Sequence, residues 1–533
     1  MVEKNQKKEK TICVHISKML FIIFGVLVSA ILLFYLNTLR IRMNYKKKLA
    51  SLRADDWPTN MKELADFYEN GGKLLKPGKS PRKIPDSENA AIEFEKAFKL
   101  IVNPVPAPRN KDCVSCAVKN GYLDSEQIIS CLTPHFHLYR KRFSLPLTLK
   151  VKATTKAYIR ANTSAIKLVI AGLNKSKCVF YDLRTRRMRY DYAPQLQIVS
   201  LFLMRFRLNA NEGKIDGAIL ELERIAEFMT KLRQSPFLST YEIRLKNINR
   251  FVHSIRILLC ENKLNDVQLS RLERVLMMLN PDGLAWGIKT CLPVFTNNKH
   301  ADREVAYRFL LAAIPFKRYM RMESLIPYML PLLRMTGVIS DFKTENLCVW
   351  RACWRASQCE FSGAMRIIES ERKRISTTCD NLYQLSSTLL TIGKLPLQKR
   401  TQSRALLRSA LTVLAIERYR LKHKNLPASL NDLFPEYIES ISLDPFTDKP
   451  LLYKQGILNV AKIVPMMQKE IASPLSRTAS NVKFWNMPTK GYKLVEVKCP
   501  GYIVYSVGRN LKDDGGAGLS NKDITLTVTR NTK

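Results

Sequence analysis

Two groups of residues have types and spacings that could do chemistry. The first lies in segment 113–137. Cys113 and Cys116 form C-V-S-C, and Cys131, His135 and His137 follow in C-L-T-P-H-F-H. Zinc takes four nitrogen or sulfur ligands in a tetrahedron, and this C-x2-C, C-x3-H-x-H order could supply them. A disulfide suits the same cysteines in an oxidising compartment. Plain reduced thiols are the third reading, and spacing alone leaves all three open. The second group is an acidic, glycine-rich loop near the C-terminus. It carries Asn510, Asp513, Asp514, Ser520 and Asp523 around Gly515, Gly516 and Gly518.

The motifs of several enzyme classes are missing. The sequence has no G-x-S-x-G, no P-loop, no H-E-x-x-H and no paired C-x2-C zinc ribbon. Six histidines in 533 residues offer few general bases. No catalytic residue is assigned. A metal-dependent envelope enzyme built on segment 113–137 is one alternative reading, and a binder of an anionic polymer or nucleic acid is another.

The elements that must hold these groups begin with an anchor. M-L-F-I-I-F-G-V-L-V-S-A-I-L-L-F-Y-L-N-T-L, residues 19–39, starts at Met19, Leu20 and Phe21 and closes at Leu39. It carries no charge, and Lys18 and Arg40 bracket it. A bilayer core about 30 Å thick needs about 20 helical residues, so this segment predicts a transmembrane helix. Val28, Ser29 and Ala30 could mimic a signal-peptide cleavage site. The apolar run continues past them through Phe34, however, which is longer than a signal sequence needs. The lysines before the span and the Lys and Arg residues after it nearly balance, so the charge rule leaves the orientation open. The expected location is a bacterial cell membrane, crossed once, with an extracytoplasmic body.

The chain carries 87 Lys and Arg against 46 Asp and Glu, a formal charge of +41. Such an excess favours anionic surroundings. It is spread along the chain rather than gathered in a tail, so nucleic acid is the less favoured partner. Membrane lipid and a protein partner are preferred.

Residues 1–18 form a basic tail. Residues 40–149 read as a basic linker with a mixed helical and cysteine-containing segment. Within it a helix is expected after Asp86 or Ser87, with Ala91, Phe94, Ala97 and Leu100 on one face. From 150 to 400 the apolar period is helical. Ile215, Ile219, Leu222, Ala226 and Met229 make one stripe. Asp216 precedes L-E-R-I by the same offset that separates Asp266 from L-E-R-V. Tandem helical hairpins follow from this, giving a helical-repeat or irregular helical body. Trp350, Trp354 and His253 are expected to pack in the core. Residues 401–533 form a small α+β domain. Its helix covers 403–424 with Leu407, Leu411, Leu414 and Arg418 on a stripe, Ser429 caps a short helix, and a strand ends near Tyr453. G-Y-I-V-Y-S-V-G alternates as a strand does, and L-S-N-K-D-I-T-L-T-V reads as another. The fold class expected is therefore mainly α.

The run of helix, Y-R-L-K-H-K-N-L-P-A-S-L-N-D-L, D-P-F-T-D-K-P-L-L-Y and Y-S-V-G-R-N-L-K-D-D-G-G resembles the globular domain of the type II secretion major pseudopilin. The resemblance implies a helix joined to a small antiparallel sheet, and a link to a secretion or pilus-like apparatus. It also implies a calcium loop. Asn510 and Asp523 fall where that family has metal-binding acids, and Val507 falls at its carbonyl donor. Asp513, Asp514 and Ser520 supply further oxygens of the kind calcium takes. No other cofactor is indicated. The chain departs from the family in that residues 40–400 separate the apolar segment from the module, and no Phe-initiated prepilin start is present. Polymerisation is therefore not expected.

Overall fold

The computed structural model describes residues 2–69, 84–102, 149–180, 193–233, 238–285, 287–290, 338–378, 383–465, 492–516 and 523–529. Among these the chain is mainly helical, with one three-stranded antiparallel sheet near the C-terminus.

Helix α1 spans Val2–Ala54 without a break. At 1.5 Å per residue that is about 80 Å. Residues 40–54, expected as linker, are its last turns, because no Gly or Pro interrupts them. The helix stops in a Schellman arrangement. Asp56 takes the left-handed conformation at φ 59°, and Trp57 N–H reaches back to Leu52 O at 2.9 Å. Trp57 and Leu52 are both buried, the apolar contact that accompanies this cap. Pro58 then prevents continuation. Helix α2 covers Met61–Glu69.

Helix α3, Ala90–Leu100, is capped by Asn89 rather than by Asp86 or Ser87, which sit in a preceding 3-10 turn. Asn89 is fully buried. Its amide donates to Val179 O at 2.8 Å and its carbonyl accepts from Val179 N–H at 2.9 Å and from Ala91 N–H at 3.2 Å. One side chain thus caps the helix and pins a distant strand-like segment, which no local pattern reveals. Ala91, Phe94 and Ala97 are buried as expected, but Leu100 is half exposed and Ile101 takes its place inside. Helix α4 (Leu149–Ala161) and helix α5 (Thr163–Leu173) follow. At Gly172 of α5 a Cβ would lie 2.6 Å from the Phe94 ring, so α3 and α5 approach at a distance only Gly permits.

The first expected hairpin is present as α6 (Ala193–Asn211) packed on α7 (Ile215–Leu232); the second pair, α8 (Leu238–Glu261) and α9 (Asp266–Met278), are both helices, but α9 packs on α7 rather than folding back along α8. Ile219, Leu222, Ala226 and Met229 are buried, and Ile215 packs at the edge of the same core. Arg207 of α6 pairs with Glu261 of α8. His253 is buried on α8. Helices α10 (Val338–Ser357) and α11 (Phe361–Thr378) complete the body. Trp350 is buried and Trp354 packs against the core edge.

Helix α12 runs over Tyr383–His423 and contains Pro396. It begins well before residue 403 and crosses the expected boundary at 400. It packs on α8, α9, α10 and α11 on one side and on the sheet on the other. Leu407 and Leu414 are buried, Leu411 lies at the core edge, and Arg418 is ion-paired instead of apolar in its contacts. Ser429 and Asp432 form a capping box over the 3-10 turn Leu430–Leu433.

The sheet comprises β1 (Leu452–Pro465), β2 (Tyr492–Ser506) and β3 (Ile524–Thr529) in that order. Strand β1 starts near Tyr453 rather than ending there, since the Asp444 turn is followed by an isolated bridge from Leu443 to Pro450. The alternation in G-Y-I-V-Y-S separates two cores, not core from water. Tyr502 and Val504 join the helical core; Ile503 and Tyr505 pack with Leu458 on the opposite face. Body and sheet share one hydrophobic core through α12.

Candidate functional site

The acidic loop is built on the end of β2. Val507 follows Ser506, the last residue of that strand, and begins a 3-10 turn over Gly508–Asn510. Asp444 fixes this point from below. It is buried, and its carboxylate accepts from Ser506 Oγ at 2.8 Å, Val507 N–H at 3.0 Å and Phe446 N–H at 2.9 Å. The D-P turn that reads as a simple break is thus the support of the whole loop. Its only signal in the sequence is an Asp before Pro.

The loop carboxylates turn toward backbone donors. Asp523 is 1% exposed and accepts N–H bonds from Gly516 at 2.8 Å and from Asp514 at 3.2 Å. Gly515 and Gly516 adopt positive φ, which lets the chain wrap around that carboxylate. A Cβ on Gly516 would also strike the Tyr505 ring at 2.7 Å. Asp513 accepts from Tyr505 Oη at 3.1 Å and Gly515 N–H at 2.8 Å, while Asn510 donates to Asp514 at 2.9 Å. Burial pushes the Asp523 carboxyl above the usual range against the pull of its two N–H donors, and the charges of Asp514 and Asp513 add to the rise. Lys454 offsets part of the negative charge. It lies 5.2 Å over the Tyr505 ring, donates to Gly515 O, and its pKa is raised by its hydrogen bond to Tyr505 and by Asp513 and Asp523.

The arrangement is therefore a loop that satisfies its own carboxylates. Asp513, Asp514 and Asp523 come together with Asn510 and Val507, but the carboxylates accept N–H bonds and, at Asp513, the Tyr505 hydroxyl as well. Among the described residues, no three His, Cys, Asp or Glu side chains gather as a cation site requires. Ser520 and Gly518 lie outside the described residues, as do Cys113, Cys116, Cys131, His135 and His137.

A second assembly was not foreseen, namely the joint at the base of α1. Arg351 of α10 donates to Asp55 at 2.7 Å and to Ser51 Oγ at 3.4 Å. Lys289 donates to Asp55 O at 2.9 Å and lies over both Trp57 (5.8 Å) and Trp354 (5.2 Å), rings that meet edge-on with centroids 5.6 Å apart. Burial lowers the Lys289 pKa, against the pull of Asp56 and Asp55. Arg53 pairs with Glu63 of α2 at 3.0 Å. Helix α1 therefore enters the body through a packed joint and not through a loose tether. Upstream of the joint, Met19, Leu20 and Phe21 belong to α1, and described side chains begin at Phe24. From Phe24 to Leu36 the large apolar side chains are about half to two-thirds exposed. Leu39 is partly buried beside Thr38. This is one helix long and apolar enough to span a membrane, with mean hydropathy 1.8 and 6% of its apolar window buried.

No protein family model matches the chain, and no curated protein or solved structure matches it either.

Proposed function

We propose that this chain is a single-pass, membrane-anchored structural and interaction protein whose helical body is held at a fixed angle to its anchor. The observation that carries the reading is the contrast along α1. Among the described residues its Phe24 to Leu36 stretch has no apolar partner in the body, while Leu52 and Trp57 at its base are fully packed. So much exposed apolar surface is stable only in an apolar medium. An interaction role suits a body of packed helices, whose outer faces offer extended surface for a protein partner. The pseudopilin-like ending is the ground for naming a bacterial secretion or pilus-like apparatus as that partner's source, and an extracytoplasmic body belongs to the same reading.

Expression of the full chain followed by alkaline carbonate extraction tests the anchor. Retention in the membrane pellet with residues 2–39 still present, checked by mass spectrometry, is the expected result. Recovery in the supernatant without detergent, or a mature chain beginning near Ile31, overturns it.

A further inference from the structure

A cleft of about 230 Å³ opens between α4 and α6, lined by Lys156, Ile159 and Arg160 from the first and Arg205, Leu208 and Asn209 from the second. Its charges do not cancel. Glu212 is shared by Lys156 and Lys214, each at 2.8 Å. Glu221, 2% exposed, is shared by Arg205 and Arg224, each at 2.8 Å. Among the described residues the Arg160 guanidinium has no ion pair or hydrogen bond. Of the three cations that line the cleft, Lys156 and Arg205 are paired with Glu212 and Glu221, and Arg160 leaves one positive charge unopposed at the opening.

We propose that this cleft binds the phosphate group of a small organic phosphate ester. Guanidinium forks match the geometry of a phosphate oxyanion, and Arg160 brings an unengaged one to the cleft beside Lys156 and Arg205, whose carboxylate partners Glu212 and Glu221 are not part of the lining. Asn209 adds an amide. Ile159 and Leu208 give the wall an apolar part that suits a short carbon skeleton beside the phosphate. The volume lies below that of a site for a drug-sized molecule, so the ligand is a compact one. The inference does not depend on the membrane reading.

Calorimetric titration of the full-length chain in detergent, with inorganic phosphate and with glycerol 1-phosphate, tests it. Saturable binding of both is expected, tighter for the ester. Arg160→Gln removes an exposed, unpaired side chain, so the fold is retained, and binding weakens about tenfold, the loss of one charge-assisted contact. Glu212→Gln releases Lys156 to the cleft, so binding tightens. Vesicles containing phosphatidic acid separate a lipid headgroup from a soluble ester: soluble-ester binding that vesicles fail to displace is expected. Absence of saturable binding by either phosphate, equal binding by the Arg160→Gln chain, or binding to the vesicles alone overturns the proposal.

Discussion

Arg418 of α12 lies 2.8 Å from Asp266 of α9 and also reaches Glu273 on the same helix at 3.2 Å. Arg271 of α9 makes the same pattern one step earlier, meeting Asp216 and Glu223 of α7, both at 3.0 Å. Asp216 and Glu223 correspond to Asp266 and Glu273 at a constant offset in the repeated segment. The repeat is therefore a ladder in which each helix supplies two acids to an arginine on the next. Its acids are the Asp and the Glu of the D…L-E-R pattern. Loss of Arg418 as Arg418→Ala is expected to lower stability by about 0.5–1 kcal/mol, because the pair is partly exposed to solvent. A double-mutant cycle with Glu273→Ala, read by chemical denaturation, should give a coupling that shrinks in high salt.

The junction of body and sheet hangs on a buried bond. Tyr502 Oη donates to Glu417 at 2.8 Å, and Arg420 holds the other Glu417 oxygen. Tyr502→Phe leaves a buried carboxylate oxygen short of a donor and should cost about 1.5–3 kcal/mol. A denaturation midpoint unchanged from the parent chain would show that the bond is not made.

Truncation of Trp57 acts on the anchor joint. Trp57→Ala removes a fully buried ring and the contact with Trp354, for a cost of about 3–5 kcal/mol. Hydrogen exchange over residues 46–57 should rise far more than exchange in α12. Uniform change across both would contradict a local joint.

Acid should weaken the pairing around Glu212. Its hydrogen bonds with Lys156 and Lys214 hold the carboxyl down at about 2, below its ordinary 4.5. A carboxylate lowered in the folded state stabilises fully above the ordinary value and loses that contribution as pH falls toward 2. Glu212→Gln should flatten this part of the pH dependence of melting temperature. The group is exposed, so added salt should flatten it as well.

Thiol reactivity should sort by burial. Desolvation pushes Cys178 and Cys353 up to about 12, and both are fully buried. Both should resist alkylation at mildly alkaline pH until the chain is unfolded, while half-buried Cys260, Cys348, Cys359 and Cys499 react earlier. Mass spectrometry of timed alkylation gives the order directly.

The sequence was legible where one helix or strand decides its own fate. The stripe ending at Met229, the Ser429 cap and the strand at G-Y-I-V-Y-S all follow from local period and capping chemistry. The errors have a common cause. Asn89 displaced Asp86 as a cap because its amide is also bound by Val179, and α1 ran to Ala54 because nothing in residues 40–54 stops a helix. Arg418 looked like a stripe position because periodicity cannot see two acids brought over from α9. At the acidic loop, composition showed carboxylates but not that Asp523 would be enclosed by the N–H groups of Gly516 and Asp514.

Sequence alone determined that this chain has an apolar N-terminal helix, a helical body and a short β ending, because hydrophobic period and run length are local quantities. Only the tertiary structure decided that Trp57 locks α1 to the body, that α12 joins body and sheet in one core, and that Lys156, Arg160 and Arg205 share a cleft. Those relations depend on which distant side chains meet, and burial and ion pairing act through space without regard to position along the chain.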